Sequence, residues 1–244
     1  MRQEPSLALI QPTLSADGQS LVLEAPGMEP LTVDLGQIAE SGERLIEFRI
    51  WRLDTEGLYC GKEAEAWLSD YLKKPGMKLA FFKAGRTKAR SLAEDRKWGD
   101  KFESEDETVG FPDLAPLMLL TDASVDDLNS RLDNPVTMRN LRPNMVVTGA
   151  KAFAEDLWKC VRIGDTVTMR RTHGCGRCKL TTVDAETGKV RSDGEPLATL
   201  KQYRCLPKTD PDSKPLGGAP VFGANLVCDV FGDIKVGDTV YAEM

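Results

Sequence analysis

The sequence is poor in histidine, in excess positive charge and in long apolar runs, and each shortage argues against a class of protein. The net charge is −6, whereas nucleic-acid-binding domains usually carry a basic surface, so we expect no nucleic-acid partner. No apolar run approaches the ~18 residues that span a bilayer, so we expect no membrane span in this chain. Residues 1–10, MRQEPSLALI, show no targeting character.

Cysteine is also sparse, and its spacing argues against a disulfide framework. Of the six cysteines, only Cys175 and Cys178 lie close together in the sequence. The chain is long enough to bury a sizeable core without such staples, and it shows no signal peptide. We therefore expect reduced thiols in an intracellular compartment, and a cytoplasmic location for the chain as given.

The residues that are present form short strand-like runs. Three of these runs, 7–10, 21–25 and 31–35, are separated by turn residues and predict a meander of three strands. Helical spacing is rarer, and residues 62–74 are its clearest case. The predicted fold class is therefore mostly β with a few helices (α+β).

A charged segment divides the chain. Residues 85–110 are dense in Arg, Lys, Asp and Glu, a composition typical of a mobile surface loop or linker. The predicted organisation is an N-terminal domain over residues 1–84, this linker over 85–110, and a second domain over 111–244.

The motif Cys175-Gly176-Arg177-Cys178 has several interpretations. One is half of a structural zinc site, but a second ligand pair is lacking and His173 is the only histidine. Another is a thioredoxin-like redox pair, although residues 179–184 have the pattern of a strand and such a pair opens a helix. A third is a pair of core thiols in a turn.

The surroundings of the motif favour a fourth interpretation. The segment 170–179 places four cations within ten residues of an acidic chain: Arg170, Arg171, Arg177 and Lys179. Positive charge favours the thiolate, which is the form that binds metal, and cations also hold phosphate. Gly174 and Gly176 let a ligand approach the backbone closely. This pattern predicts a soft metal held by one thiolate and carried on an anionic, phosphate-bearing organic ligand.

Longer motifs resemble one family. Residues 175–188 (CGRCKLTTVDAETG) and 197–204 (LATLKQYR) resemble the C-terminal domain of the MOSC superfamily, most closely that of the amidoxime-reducing components. Further stretches fit the same family in the same order: 1–5, 60–72, 121–132, 141–158, 221–223 and 234–241. The resemblance covers nearly the whole chain. It implies a MOSC-type β-barrel preceded by a truncated N-terminal β-barrel-like domain.

The resemblance also implies a molybdenum cofactor, Mo-molybdopterin, and residues that hold it. Cys178 would be the molybdenum ligand and the catalytic residue, whereas Cys175 would be structural. Gly176 stands where relatives often have serine, so it offers only its amide, and Arg177 would lie beside the metal. Other implied cofactor contacts come from two loops: Arg142 and Asn144 in one, and Asp113, Leu114 and Ala115 in the other. Relatives tend to carry hydroxyl residues where this chain has Leu114 and Ala115.

One departure from the family concerns the start of the chain. Family members have a segment before the RQEP motif, with a Lys-Ser pair and an arginine that grip the cofactor, and an N-terminal membrane anchor. Here Met1 directly precedes Arg2. We therefore expect a weakened grip on the cofactor. A full-length form with the anchor is expected at the cytosolic face of the mitochondrial outer membrane.

The function implied by the resemblance is reduction of N-hydroxylated compounds, such as amidoximes and hydroxylamines. Electrons would come from NADH through cytochrome b5 reductase and cytochrome b5. One alternative is a MOSC sulfur-carrier or transfer protein with a persulfide on Cys178. The MOSC superfamily also includes the C-terminal domain of molybdenum-cofactor sulfurases, so pyridoxal phosphate binding is associated with the family. The pyridoxal-phosphate domain of those sulfurases is absent from this sequence. The other alternative is a truncated, cofactor-poor binding protein.

Overall fold

The computed structural model of the chain describes residues 1–41, 44–104 and 107–244. Strands predominate over helices, which confirms the predicted fold class. Among the described residues the strands are β1 (Gln11–Leu14), β2 (Ser20–Glu24), β3 (Leu31–Asp34), β4 (Leu45–Ile50), β5 (Leu53–Tyr59), β6 (Ala80–Phe81), β7 (Arg90–Ser91), β8 (Thr108–Val109), β9 (Leu117–Thr121), β10 (Met145–Val147), β11 (Cys160–Ile163), β12 (Val167–Gly176), β13 (Val221–Val230) and β14 (Val240–Glu243). The α-helices are α1 (Leu35–Glu40), α2 (Gly61–Leu72), α3 (Asp122–Asn129), α4 (Met138–Leu141), α5 (Leu197–Tyr203) and α6 (Ser213–Leu216).

The N-terminal region contains two small antiparallel sheets, β1-β2-β3 and β4-β5-β6. Helix α2 covers them with its apolar face, and Trp67 on that helix donates a hydrogen bond from Nε1 to the carbonyl of Glu29 at 2.7 Å. The shared core is formed by buried residues from both sheets and the two helices of this region: Leu23, Leu31, Val33, Leu35, Ile38, Leu58, Cys60 and Ala64. This region therefore has its own hydrophobic core.

The first predicted strand of the meander is wrong. Residues 7–10 were expected to be extended, but Pro5–Leu9 forms a 3-10 helix and β1 begins only at Gln11. Pro5 occupies the start of that helix, where its fixed φ and missing N–H are tolerated. The other two predicted strands are confirmed as β2 and β3.

The C-terminal region is built on a six-stranded sheet that curls into a half-barrel. Its strand order is β10-β9-β13-β12-β11-β14, with β9 and β10 parallel and the other pairs antiparallel. The long strands β12 and β13 form its centre, and their register shifts between Arg171 and His173 and again between Gly174 and Gly176. These irregularities bend β12 where it approaches the CxxC motif, as β-bulges commonly do near binding sites.

Gly223 ends the stretch 221–223 (VFG) that resembles the family, and its backbone conformation requires glycine. Its φ of +88° is a left-handed conformation that side chains rarely adopt, and a Cβ there would lie 2.9 Å from the carbonyl oxygen of Leu119 on the neighbouring strand. The crossing of β13 against β9 therefore needs glycine at this position.

Residues 85–110 are more buried than their charge predicts. Within the described part of this segment, Leu92, Trp98, Phe102 and Val109 are buried and pack with Val227 of β13. The expectation of a mobile surface loop is therefore wrong for these residues, because apolar side chains spaced among the charges fasten the segment to the sheet. The charged residues 105 and 106 lie outside the described residues, and the three-part domain division stays a prediction.

The stretch after the CxxC motif is also not the predicted strand. Lys179–Thr182 forms a 3-10 helix. The hydroxyls of Thr181 and Thr182 donate to the carbonyls of Cys178 and Lys179, at 2.9 and 2.8 Å. Such local side-chain bonds to the backbone compete with strand pairing and favour a turn.

Candidate functional site

A cavity of about 650 Å³ lies between the N-terminal region and the six-stranded sheet. Its size is within the usual range of small-molecule sites, roughly 300–1,000 Å³. The cavity wall contains all of the residues predicted for the cofactor: Asp113, Leu114, Ala115, Arg142, Asn144, Gly176, Arg177 and Cys178. Residues far apart in the sequence thus meet at one place, although their individual roles stay predictions.

Cys178 follows the end of β12 and is half-buried. Its backbone is extended, and its carbonyl accepts hydrogen bonds from the backbone N–H of Thr181 at 3.0 Å and from the Thr181 hydroxyl at 2.9 Å. The 3-10 helix therefore fixes the backbone of Cys178 in the cavity wall, where its thiol is the candidate metal ligand.

Arg177 is a fixed cation in the same wall, only 7% exposed. Its backbone N–H donates to the carbonyl of Pro220 at 2.8 Å, and its guanidinium donates to the carbonyl of Leu141 and, at 3.2 Å, to the sulfur of Cys175. Its Nε is buried without a hydrogen-bond partner. A buried guanidinium with an unused donor suits an anionic ligand, because charge-assisted hydrogen bonds are strong where water is excluded.

Gly176 has little room beside it. A Cβ at this position would lie 2.6 Å from Cδ2 of Leu216, at the end of α6. Gly176 lines the cavity with backbone alone, and a ligand contact through its amide stays a prediction.

Arg142 and Asn144 come from the turn between α4 and β10. Arg142 ends α4 in a left-handed conformation with a φ of 57°, and its side chain is exposed. Asn144 pairs with Met118 at the start of β9. Its backbone N–H donates to the Met118 carbonyl and its Oδ1 accepts from the Met118 N–H, both at 2.8 Å. The side-chain oxygen Oδ1 of Asn144 is therefore engaged by Met118. The side-chain nitrogen Nδ2 is the group available to a ligand.

The loop at Asp113 is held by arginines that the sequence did not single out. Arg2 pairs with the Asp113 carboxylate. Buried Arg90 donates to the carbonyls of Gly110, at 3.1 Å, and Pro112, and burial lowers its pKa below the ordinary value. Leu114 packs against the cluster that contains Trp98. Arg90 thus shapes this loop from within the charged segment, which was interpreted as a linker.

The cations of segment 170–179 do not all line the cavity. Arg177 lines the cavity, whereas Arg170 forms ion pairs with Glu107, with Asp229 at 3.1 Å and with Glu103 at 3.4 Å. Residues 170 and 177 lie at opposite ends of the segment, and the first is already neutralised by carboxylates. The expectation that four cations surround the thiol is therefore wrong for Arg170.

A second wall of the cavity contains His173, for which the sequence suggested only a role as a zinc ligand. His173 is 1% exposed and its Nε2 lies 2.9 Å from Nδ2 of Asn225, its register partner on β13. Trp98 stacks on the imidazole with ring centroids 4.0 Å apart. We call Trp98, His173 and Asn225 the Trp98 wall, and Arg142, Arg177 and Cys178 the CxxC wall. The sequence feature that indicates this wall is the single tryptophan, Trp98, within the charged segment 85–110.

The His173 imidazole is uncharged. Burial, and then the nearby charges of Arg171 and Lys101, lower its pKa to about 3. The two walls therefore differ in charge: the CxxC wall carries guanidinium groups, while the Trp98 wall carries an imidazole and an amide without net charge.

The described residues also limit how a metal could be held. Within residues 1–41, 44–104 and 107–244, no group of three or more His, Cys, Asp or Glu side chains is placed to hold a metal ion. A metal at Cys178 would consequently need most of its ligands from an organic carrier. The unpartnered Arg177 Nε and the cavity volume fit such an anionic carrier.

No helix among the described residues combines the length and apolar character needed to cross a bilayer.

Comparison with known proteins supports the resemblance over nearly the whole chain. The MOSC N-terminal beta barrel domain matches residues 1–75 and the MOSC domain matches residues 106–241. Mitochondrial amidoxime reducing component 2 of Rattus norvegicus is 39% identical over 241 residues, covering 98% of this chain and 68% of the relative. Mitochondrial amidoxime-reducing component 1 of Danio rerio is 39% identical over 242 residues, covering 98% and 69%. The corresponding component 1 of Homo sapiens is 38% identical over 241 residues, covering 98% and 67%. The chain therefore belongs to the MOSC-domain family of amidoxime-reducing components.

Proposed function

We propose that this chain is a molybdenum cofactor-dependent oxidoreductase that reduces N-hydroxylated compounds, including amidoximes and hydroxylamines. The observation that carries the proposal is the cavity in which Cys178 lies with buried Arg177, whose Nε has no partner. Family membership supplies the reaction class, because the relatives are named for amidoxime reduction.

Each wall residue has a role in this proposal. Cys178 is the protein ligand of molybdenum and the catalytic residue. Arg177 and Arg142 neutralise the anionic part of Mo-molybdopterin. The Asn144 side-chain amide and the Gly176 backbone hold its pterin. The loop of Asp113, Leu114 and Ala115 closes the cavity beside it, mainly through backbone and packing contacts, because Leu114 and Ala115 lack hydroxyl groups.

The reaction removes one oxygen atom from nitrogen. Two electrons and two protons convert an N–OH group to N–H and release one water molecule. The cofactor supplies the two-electron chemistry when it is bound, and the protein contributes binding, orientation and electrostatics. Cys178 tunes the metal through its thiolate, while Arg177 keeps a positive charge fixed close to the cofactor anion.

Electron supply and location follow the family in this proposal. NADH delivers electrons through cytochrome b5 reductase and cytochrome b5. A form of the protein with a membrane anchor is placed at the cytosolic face of the mitochondrial outer membrane, in keeping with the mitochondrial names of the relatives.

Metal analysis tests the proposal directly. The protein is purified from a host that makes the cofactor, and molybdenum per chain is measured for wild type, Cys178→Ala and Cys205→Ala. Cys205 is an exposed cysteine that does not line the cavity, so it is the matched control. We expect about one molybdenum per chain in wild type and in the control, and loss of the metal in Cys178→Ala.

The same samples separate the alternatives. A folded wild type without molybdenum contradicts the proposal and favours a cofactor-poor binding protein. A mass increase of one sulfur atom on Cys178, without molybdenum, favours the sulfur-carrier function instead.

A further inference from the structure

The Trp98 wall contains a hydrogen-bonding group with no partner. The Nε2 atom of His173 lies 2.9 Å from Nδ2 of Asn225, an amide nitrogen that can only donate, so we assign the imidazole proton to Nδ1. That Nδ1 is buried and lacks a partner among the described residues. Buried donors are nearly always satisfied in folded proteins, and His173 lines the cavity. A ligand in the cavity is therefore the natural acceptor.

The ring is held rigidly in place. Trp98 stacks on it at an interplanar angle of 17°, and Phe102 lies edge-on with centroids 6.4 Å apart. Trp98 is itself fixed by Asp95, whose carboxylate accepts from the backbone N–H groups of Lys97 at 2.9 Å and Trp98 at 3.0 Å. The Lys97 ammonium reaches the Pro215 carbonyl at 3.3 Å. Side chains locked in this way position a bound group with little further loss of entropy.

The ring is also neutral, which restricts what it can bind. Burial lowers the pKa of His173 to about 3, and the charges of Arg171 and Lys101 add to this effect. A neutral imidazole offers directional hydrogen bonds without attracting anions. Its natural partner is an uncharged polar group, whereas anions are drawn to the guanidinium groups of the CxxC wall.

Trp98 lies outside both matched family domains. The N-terminal match ends at residue 75 and the MOSC match begins at residue 106. Trp98, which fixes His173, thus comes from a segment that neither family domain covers. Differences in specificity between relatives are expected in such connecting segments.

We propose that His173 is a substrate-contacting residue whose Nδ1–H donates a hydrogen bond to the oxygen of an uncharged N-hydroxylated group, with Asn225 and Trp98 as its positioning residues. The contact holds the N–O bond of an amidoxime in the same cavity as Cys178. This inference rests on the proposed function, because it names the part of the substrate that the cavity recognises.

The test compares a substrate that has the oxygen with its product, which lacks it. Benzamidoxime and benzamidine are titrated against wild type and His173→Phe, together with steady-state kinetics and molybdenum analysis of the same preparations. Phenylalanine keeps the stack on Trp98 and removes both nitrogens. We expect benzamidoxime to bind about tenfold more weakly to His173→Phe, the value of one neutral hydrogen bond. Binding of benzamidine should change less than about twofold. KM should rise more than kcat falls, at unchanged molybdenum content.

Asn225→Leu is the second variant, in case His173→Phe is poorly folded. It frees the ring without removing it, and we expect a smaller loss of benzamidoxime affinity in the same direction. Equal weakening of both ligands, or no weakening of benzamidoxime in a folded variant, overturns the inference. Failure of the proposed function looks different, since wild type would then lack molybdenum or not reduce benzamidoxime. The difference in binding between the two ligands still decides the role of His173 in that case.

Discussion

The CxxC wall and the Trp98 wall face the same cavity but are built in opposite ways. The CxxC wall presents a thiol and guanidinium groups, one buried and one exposed, whereas the Trp98 wall presents a stacked, neutral imidazole with an amide. The first suits an anionic cofactor and the second an uncharged substrate. Two halves of one site can therefore meet different demands because each wall has its own supporting residues.

Removing the stack should have the largest effect on stability. Trp98 is 6% exposed and packs with Leu92, Phe102 and Val227. Trp98→Ala is expected to cost about 3–5 kcal/mol of unfolding free energy, measured by urea denaturation. Trp51, which also lines the cavity but is 58% exposed, provides the control, and Trp51→Ala should cost about 1 kcal/mol or less. Equal losses in the two variants would show that the charged segment does not anchor the wall.

The two arginines of the CxxC wall should differ in a similar way. Arg177→Met leaves the Leu141 carbonyl without its donor, so we expect a loss of about 1–3 kcal/mol of unfolding free energy as well as lower molybdenum content. Arg142→Met should lower molybdenum content while changing stability by less than about 0.5 kcal/mol, because its side chain is exposed. Urea denaturation and metal analysis of the same samples provide both measurements. A stability loss in Arg142→Met as large as that in Arg177→Met contradicts the distinction.

The neutral imidazole predicts a dependence of stability on pH. His173 has a folded pKa of about 3, below the ordinary value of 6.5. Between these values the unfolded chain binds a proton that the folded chain does not, so the contribution of His173 is fully present above pH 6.5 and is lost as the pH falls. Relative to His173→Phe, wild type should lose on the order of 1 kcal/mol per pH unit below pH 6.

Urea midpoints of both proteins at pH 5, 6 and 7 measure this difference directly. Both proteins share the same carboxyl groups, so their protonation largely cancels from the comparison. Parallel pH profiles would mean that the imidazole can be protonated in the folded protein.

The smallest effect should come from the cation that the structure places away from both walls. Arg170→Gln breaks ion pairs with Glu107 and Asp229, and we expect a loss of about 1 kcal/mol with unchanged molybdenum content. The comparison with Arg177→Met then shows whether position or mere charge in the segment matters. A molybdenum loss in Arg170→Gln equal to that in Arg177→Met would falsify the separation of the two cations.

The parts of the fold and site that the sequence predicted well are those with local signatures. The strands β2 and β3 and the helix α2 were expected from periodicity and turn residues. The residues that line the CxxC wall were expected because long motifs resemble a family. Local patterns suffice where neighbouring residues determine the structure.

The errors have two physical origins: local hydrogen bonds from side chains to the backbone, and contacts between residues distant in the sequence. The stretch 179–184 has the β-branched residues of a strand pattern, but the hydroxyls of Thr181 and Thr182 donate to nearby carbonyls and favour a 3-10 helix. Arg170 and Arg177 look equivalent in the sequence. The carboxylates that pair with Arg170, however, belong to Asp229 on β13 and to Glu103 and Glu107. The pairing of Trp98 with His173 joins residues 75 positions apart, which no periodicity can reveal.

The position of Trp98 gives the protein its own optical probe. Two of the four tryptophans line the cavity, the buried Trp98 and the exposed Trp51. A buried indole emits at shorter wavelengths than one in water, so the two contribute to different parts of the emission spectrum. Binding beside Trp98 should disturb the short-wavelength part, whereas binding beside Trp51 should disturb the long-wavelength part. Ligand binding beside Trp98 and ligand binding beside Trp51 should thus change the emission spectrum differently, without any added label.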